Sequence, residues 1–255
     1  MNNTPSTEAL NWRREKVFLL LAGFFLCAMT LLNVIGITRF IQLGPMALAV
    51  GVLPYPLTFL CTDLVSELYG KKRANFMVTV GLIMNLFVIA ILWLGSLAPS
   101  VGAESMPPWQ QLNLSSDVIL PDGTVVAGTI ELYQLIFACT SGAVVASMLA
   151  YMAAQYCDVY LFHFWKRLTR GKHLWLRNNL STLVSQGVDS FTVITVTFGA
   201  AYLAGGISLN QLLVLMGSNY LFKMVVALAD TLPLYAAVHY LRRYLHIKDD
   251  THIAL

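Results

Sequence analysis

Six stretches of this chain, at 17–38, 45–69, 75–97, 130–157, 181–205 and 210–241, exceed the ~20 apolar residues needed to cross a hydrocarbon layer. No soluble fold has room for six such segments. A water-soluble domain covers its exterior with polar groups, yet only 11% of these 255 residues are charged and 57% are hydrophobic. A soluble globular enzyme, a disordered chain and a nucleic-acid binder are therefore excluded. In lipid every backbone N–H and C=O must be satisfied within the protein, so apolar runs of this length are expected as helices. The expected fold is an all-α integral membrane bundle of six transmembrane helices.

The first run follows Trp12-Arg13-Arg14-Glu15-Lys16, which is similar to the positive end of a signal sequence. No A-x-A-like site closes the run, so it is expected to stay as an uncleaved first span. A polar stretch at 98–128, with Pro107-Pro108-Trp109 and the turn Pro121-Asp122-Gly123, reads as a long loop between the third and fourth spans. The expected organisation is a tail at 1–16, one six-helix domain at 17–243 and a second tail at 244–255. There is no room for another domain.

Orientation follows from the lysines and arginines. Arg13, Arg14 and Lys16 precede the first span, and Lys71, Lys72 and Arg73 lie between the second and third. Lys166, Arg167, Arg170, Lys172 and Arg177 lie between the fourth and fifth, and Arg242, Arg243 and Lys248 follow the sixth. These make 14 of the 16 cations, all on one side. The opposite side has Arg39, and the 98–128 loop has none. Both termini are expected to be cytoplasmic. The remaining cation, Lys223, falls inside a span.

An ionisable side chain in hydrocarbon costs at least ~2.5–3.5 kcal/mol and usually marks a pathway or site. Here such residues are Asp63 and Glu67 in the second run, Asp189 in the fifth, and Lys223 and Asp230 in the sixth. Phe59, Asp63 and Glu67 recur every fourth residue and share a helical face, with Thr58, Thr62 and Ser66 beside them. Pro54 and Pro56 are expected to loosen that helix near its start. The bland alternative for Glu67 is solvation, or pairing with Lys71 and Lys72. In the fifth run Ser181, Ser185 and Asp189 form a stripe flanked by Thr182 and Gln186, with Gly187 allowing close helix approach. Helix–helix packing accounts for the hydroxyls but poorly for a carboxylate near mid-membrane. Asn219, Lys223 and Asp230 are expected on one face of the sixth run. Lys223 and Asp230 are two turns apart, so Lys223 is expected to pair with an acid from another helix, Asp189 or Asp63.

Metal and nucleophile signals are lacking. Cys27, Cys61, Cys139 and Cys157 all lie in apolar runs without a CxxC pair, as buried small hydrophobes do. No two histidines have metal spacing, and HExxH, P-loop and GxSxG motifs are absent. No cofactor is expected.

The segment Tyr55-Pro-Leu-Thr-Phe-Leu-Cys-Thr-Asp63-Leu-Val-Ser-Glu67-Leu-Tyr-Gly70-Lys-Lys-Arg73 resembles the signature of the queuosine precursor transporters, also called the vitamin uptake transporter family. Asn179-Leu-Ser181-Thr182 with Gln186 and Asp189 is similar to a second motif of that family. Tyr220-Leu-Phe222-Lys223 and Asp230-Thr-Leu-Pro233-Leu-Tyr235 resemble its last helix. The resemblance covers about 17–243. It implies a six-helix carrier in the bacterial inner membrane for the 7-deazaguanine bases preQ0 (7-cyano) and preQ1 (7-aminomethyl), salvaged for tRNA queuosine. The expected partners are that small base and the lipid bilayer, with a homodimer open and no nucleic acid.

A guanine-like ring offers adjacent N–H donors, an O6 acceptor and flat faces. Asp189 or Asp63 suits the donor edge, Gln186 or Lys223 suits O6, and Phe59, Tyr55 or Tyr220 suits stacking. Asn219, Asp230 and Ser185 complete the expected substrate-binding set. Three other readings remain open: a carrier of another heterocycle or vitamin, a substrate-binding subunit of an energy-coupled importer, and an intramembrane aspartyl protease using Asp63 and Asp189. The last lacks its GxGD context, so the chain is read as a non-enzyme. A weak three-plus-three repeat, Thr58 to Asp63 against Thr182 to Asp189, would give inverted halves. A reporter fused near Asp117 is expected to register as extracytoplasmic; a cytoplasmic signal would overturn the topology.

Overall fold

The computed structural model of the chain describes residues 6–102, 104–168 and 174–247. Its helices are α1 (Thr7–Val34), α2 (Tyr55–Tyr69), α3 (Lys71–Leu97), α4 (Leu132–Leu168), α5 (Leu174–Leu203), α6 (Leu209–Ala229) and α7 (Thr231–Tyr244). Six short strands join them: β1 (Phe40–Leu43), β2 (Met46–Ala49), β3 (Gln111–Asn113), β4 (Val118–Ile119), β5 (Val125–Val126) and β6 (Thr129–Glu131). The stretches Thr7–Val34, Lys72–Leu97, Leu132–Ala154 and Leu209–Tyr244 are each long and apolar enough to cross a membrane. The protein is a multi-pass helical membrane protein. Helix α5 has the length, but its polar stripe dilutes its hydropathy.

The second apolar run differs most from expectation. It is not one helix. Its first part is strand β2, paired antiparallel with β1 so that Leu43 faces Met46 across a two-residue turn. Gly44 takes φ +58° there, which a side chain disfavours, and Pro45 fixes the next φ near −65°. The free end of the hairpin is tied down, because Val50 N–H donates to the Arg39 carbonyl at 2.8 Å and Gly51 N–H to that of Gly36 at 3.0 Å. After one 3-10 turn at Val50–Val52, only the 15 residues of α2 remain α-helical, ~22 Å of rise against a ~30 Å core. Pro54 caps α2 and Pro56 lies in its first turn, where a missing N–H removes no helical hydrogen bond. The prolines start this helix rather than loosen it.

The sixth run is interrupted as well. Asp230 N–H donates to Val226 O and Leu234 N–H to Asp230 O, but among the described residues no bond runs from Leu232 N–H to Leu228 O. Proline has no proton for the Ala229 carbonyl, and the helix divides at that rung into α6 and α7. The expected continuous face through Asn219, Lys223 and Asp230 is broken there. Helices α4 and α5 pack along each other and extend into the basic connection. Lys166, Arg167 and Arg177 are therefore helical, while Arg170, Lys172 and the tail cation Lys248 lie outside the described residues. Helix α1 starts at Thr7, so most of the expected N-terminal tail is helical too.

The 98–128 stretch carries two small antiparallel ladders, β3 with β6 and β4 with β5. The Pro121-Asp122-Gly123 turn is present as expected. Thr124 N–H donates to Asp122 Oδ1 at 3.0 Å, Gly123 N–H to Leu120 O at 2.9 Å, and Gly123 takes φ +84°.

The chain divides into two compact units. One comprises 1–32, 53–85 and 225–255, with a core of Phe25, Cys61, Val65, Leu68, Tyr69, Ala74, Met77 and Leu245. In it Tyr69 Oη donates to Arg14 O at 2.7 Å, Arg14 Nη2 donates to Leu245 O at 3.4 Å, and Arg242 pairs with Glu67. Glu67 thus finds a cation on α7, Arg242. The other unit comprises 33–52 and 86–224, with apolar clusters around Leu120, Ile130 and Ala138 and around Ile194, Phe198 and Leu212.

In the second unit Tyr133 Oη donates to Leu92 O at 2.8 Å, tying α4 to α3, and a Cβ at Gly95 would collide with that hydroxyl. Alanine gains ~1 kcal/mol of helix propensity over glycine, against ~1–3 kcal/mol for overpacking and the loss of a ~1 kcal/mol hydrogen bond. Gly95→Ala is therefore expected to lower the thermal midpoint in detergent. Gly142→Ala on α4, whose Cβ would meet nothing within 4 Å, is expected to leave it unchanged or raised. Equal midpoints for the two variants would contradict this packing.

Candidate substrate site

The polar stripe of α5 meets the polar residues of α6 within the second unit. Ser185, Gln186 and Asp189 recur on one side of α5, and Asn219, Tyr220 and Lys223 do the same on α6. Lys223 is 5% exposed and its ammonium donates to Asp189 Oδ2, so the two intramembrane charges neutralise each other. Of the two acids open as partners for Lys223, the observed one is Asp189. The Asp189 side chain keeps 18% of its surface exposed. Tyr220 Oη donates to Leu183 O at 3.4 Å, one more tie between the same helices. Gly187 faces the Tyr220 ring, but a Cβ there would lie at an ordinary 3.7 Å, so close approach does not require the glycine.

Helix α5 also carries polar atoms without partners. Gln186 Oε1, Ser190 Oγ and Thr195 Oγ1 are buried and accept or donate no hydrogen bond. A buried orphan acceptor costs ~1–3 kcal/mol, and natural structures keep few of them. Ser185 and Asn219 are buried at 7% and 8% exposure. Ser218 beside Asn219 accepts the Ala47 N–H at 3.2 Å, and Phe40 sets its ring 5.8 Å from that of Phe198. The β1–β2 hairpin is thereby fastened to α5 and α6 next to the polar cluster. Sequence reasoning missed Ser190 and Ser218, since a serine in an apolar helix more often back-bonds to its own carbonyls.

The other four expected residues, Tyr55, Phe59, Asp63 and Asp230, belong to the first unit. Tyr55 and Phe59 form an edge-on ring pair with centroids 4.4 Å apart. Thr58 donates to Tyr55 O at 2.7 Å and Thr62 to Phe59 O at 2.9 Å, so these hydroxyl protons serve their own helix. Asp63 is exposed and lies within electrostatic reach of Asp230, whose Oδ2 is buried without a hydrogen-bond partner. The ten expected residues therefore fall into one group of six around an ion pair and another of four around two acids. Among the described residues, no cluster of three or more His, Cys, Asp or Glu could hold a metal ion.

Chemically, the α5–α6 cluster offers a neutralised charge pair, an unsatisfied amide oxygen, buried hydroxyls and a tyrosine ring. The sequence profile of the family described as "Putative vitamin uptake transporter" matches residues 49–237, and the chain belongs to that transporter family. The "Probable queuosine precursor transporter" of Bacillus subtilis (strain 168) is 26% identical over 202 residues, covering 79% of this chain and 76% of the relative. No solved structure matches the chain.

Removing one member of a buried ion pair strands the other, at ~3–5 kcal/mol where burial is complete. Lys223→Ala is expected to reduce membrane abundance and thermal midpoint, and Lys223→Ala/Asp189→Asn to recover most of the loss. If the double variant is as poor as the single one, charge compensation is not what Lys223 provides.

Proposed function

We propose that the chain imports queuosine precursors, the 7-deazaguanine bases preQ0 and preQ1, across the bacterial inner membrane as a carrier without enzymatic activity. In this reading one domain spans 17–243 with six crossings and both termini cytoplasmic. Helices α1, α3, α4 and α5 each make one crossing. The β1–β2 hairpin with α2 makes another, and α6 with α7 the last. Irregular backbone at membrane depth is tolerated where protein covers it or it lines a polar cavity, and the hairpin sits beside the polar cluster.

The observation that carries the reading is the orphaned Gln186 Oε1 beside the Asp189–Lys223 pair. A guanine-like edge presents N1–H and an exocyclic amine as parallel donors. Gln186 Oε1 and the Asp189 oxygen outside the ion pair are two acceptors separated by one helical turn. The Lys223 ammonium and the Asn219 amide supply donors for O6, and Tyr220 a flat apolar face. A site that hydrogen-bonds a ligand edge rejects ligands lacking it, because its own groups are then left unpaired.

Two variants separate recognition from folding. Gln186→Leu removes a buried atom that has no partner in the unliganded protein, so stability is expected to hold or rise. Binding of preQ1 to the same purified protein is expected to fall at least about tenfold, or ~1.4 kcal/mol. Asp189→Asn is expected to weaken binding by a similar factor, and Asp63→Asn by less. Parental affinity in both Gln186→Leu and Asp189→Asn would remove the site from this cluster. Vesicles containing this chain alone should accumulate labelled preQ1, and failure there with binding intact would favour a subunit of a larger importer.

A further inference from the structure

A second concavity lies in the first unit, far along the chain from the α5–α6 cluster. It is a groove of about 440 Å³ between α1 and α3, lined by Trp12, Glu15, Lys16, Phe18, Leu19, Arg73 and Phe76. The two cations share its mouth. Lys16 lies over the Trp12 ring at 4.8 Å, and Arg73 over the rings of Phe18 at 5.0 Å and Tyr69 at 5.8 Å. Among the described residues neither cation forms a salt bridge.

Position along the helices tells what kind of molecule fits. Lys16 and Arg73 each stand immediately before the apolar stretch of a helix long enough to cross a membrane. Both therefore sit where headgroups meet hydrocarbon. Phe18, Leu19 and Phe76 lie two or three residues beyond those cations, and Leu19 and Phe76 are 72% and 65% exposed. Trp12, 59% exposed, has the amphipathic ring that favours the headgroup layer. Two donors at phosphate level above an apolar trough match one molecule with a charged phosphodiester and an acyl chain. Basic pockets between transmembrane helices bind anionic headgroups in this way, and arginine adds a fork fitted to phosphate oxygens. A soluble anion would leave the apolar trough empty, and a zwitterionic lipid would bring its own cation against Lys16 and Arg73.

We propose that this groove between α1 and α3 is a binding site for a single anionic glycerophospholipid, its phosphate held by Lys16 and Arg73 and its acyl chain lying over Leu19 and Phe76. The site is independent of the proposed transport reading and acts on the protein from the lipid side.

Bromine-labelled lipids report the occupant through Trp12 in the intact chain. Wild-type protein and Trp12→Phe are reconstituted in phosphatidylcholine vesicles carrying a small fraction of dibrominated phosphatidylglycerol or dibrominated phosphatidylcholine. The Trp12 contribution, taken as the difference between the two proteins, should be quenched several-fold more by the anionic lipid. Lys16→Gln should lower the apparent affinity about fivefold, the loss of one surface cation, and Lys16→Arg should restore it. Inorganic phosphate at constant ionic strength should not relieve the quenching. Equal quenching by the two lipids overturns the proposal, as does full relief by phosphate or an unchanged affinity in Lys16→Gln. The comparison of lipids needs only wild type and Trp12→Phe, so it stands even if Lys16→Gln fails to fold.

Discussion

Inside a bilayer no water is available to satisfy a polar group, and a charge without a partner is the most expensive object a membrane helix can carry. Lys223 and Asp189 satisfy that requirement for each other, and much of the second unit is arranged about the helices that hold them. The pair joins α5 to α6, Tyr220 adds a further tie, and Ser218 fastens the β1–β2 hairpin to the same helix. A simple apolar contact among these helices would be no stronger than their contact with lipid tails. Polar ties of this kind therefore supply specificity of packing that hydrophobicity cannot.

The same requirement governs the departures from regular helix. Strands β1 and β2 satisfy each other, and the bonds from Val50 to Arg39 and Gly51 to Gly36 close their open end. Before Pro233 the helical ladder is interrupted between α6 and α7, while Asp230 N–H still donates to Val226 O and Leu234 N–H to Asp230 O. Each irregularity leaves few backbone groups orphaned, as the medium demands. In the first unit Glu67 pairs with Arg242, and Arg14 donates to the Leu245 carbonyl.

How much of this was legible depended on which rule each residue obeys. Apolar length located α1, α3, α4 and the α6–α7 stretch, because crossing a membrane is a demand on composition that hydropathy measures directly. It misread 45–69, since an apolar run of modest length does not distinguish strand from helix. The Gly44-Pro45 turn and the two prolines at the start of α2 held that information. The ladders in 98–128 escaped because strands of two or three residues show no alternation, whereas Pro121-Asp122-Gly123 was readable as turn chemistry. At the site, Asp189 and Lys223 stood out because charges are rare in apolar runs. Ser190 and Ser218 did not, since their importance lies in partners, or missing partners, on other segments. The Glu67–Arg242 pair was not legible either, because its two residues are far apart in sequence and near only in space.

The ion pair also constrains what the cluster can accept. Separating buried opposite charges leaves both uncompensated, and a ligand forming a few hydrogen bonds gives back only ~1.5–3 kcal/mol for each bond to a charged group. A solute that had to break the pair would begin with a deficit larger than one such bond. A neutral ring using Gln186 Oε1 and the outer oxygen of Asp189 avoids that deficit, because it adds donors to acceptors that are unfilled while Lys223 stays in place. A ligand bearing its own ammonium is in a different position. It gains from Asp189 only by competing with Lys223, and a second cation beside Lys223 is repelled in a medium that screens poorly. On the proposed reading, the aminomethyl group of preQ1 therefore points away from the pair. The ring edge shared by preQ0 and preQ1 is then what the cluster recognises, and the side chain that distinguishes them faces other groups.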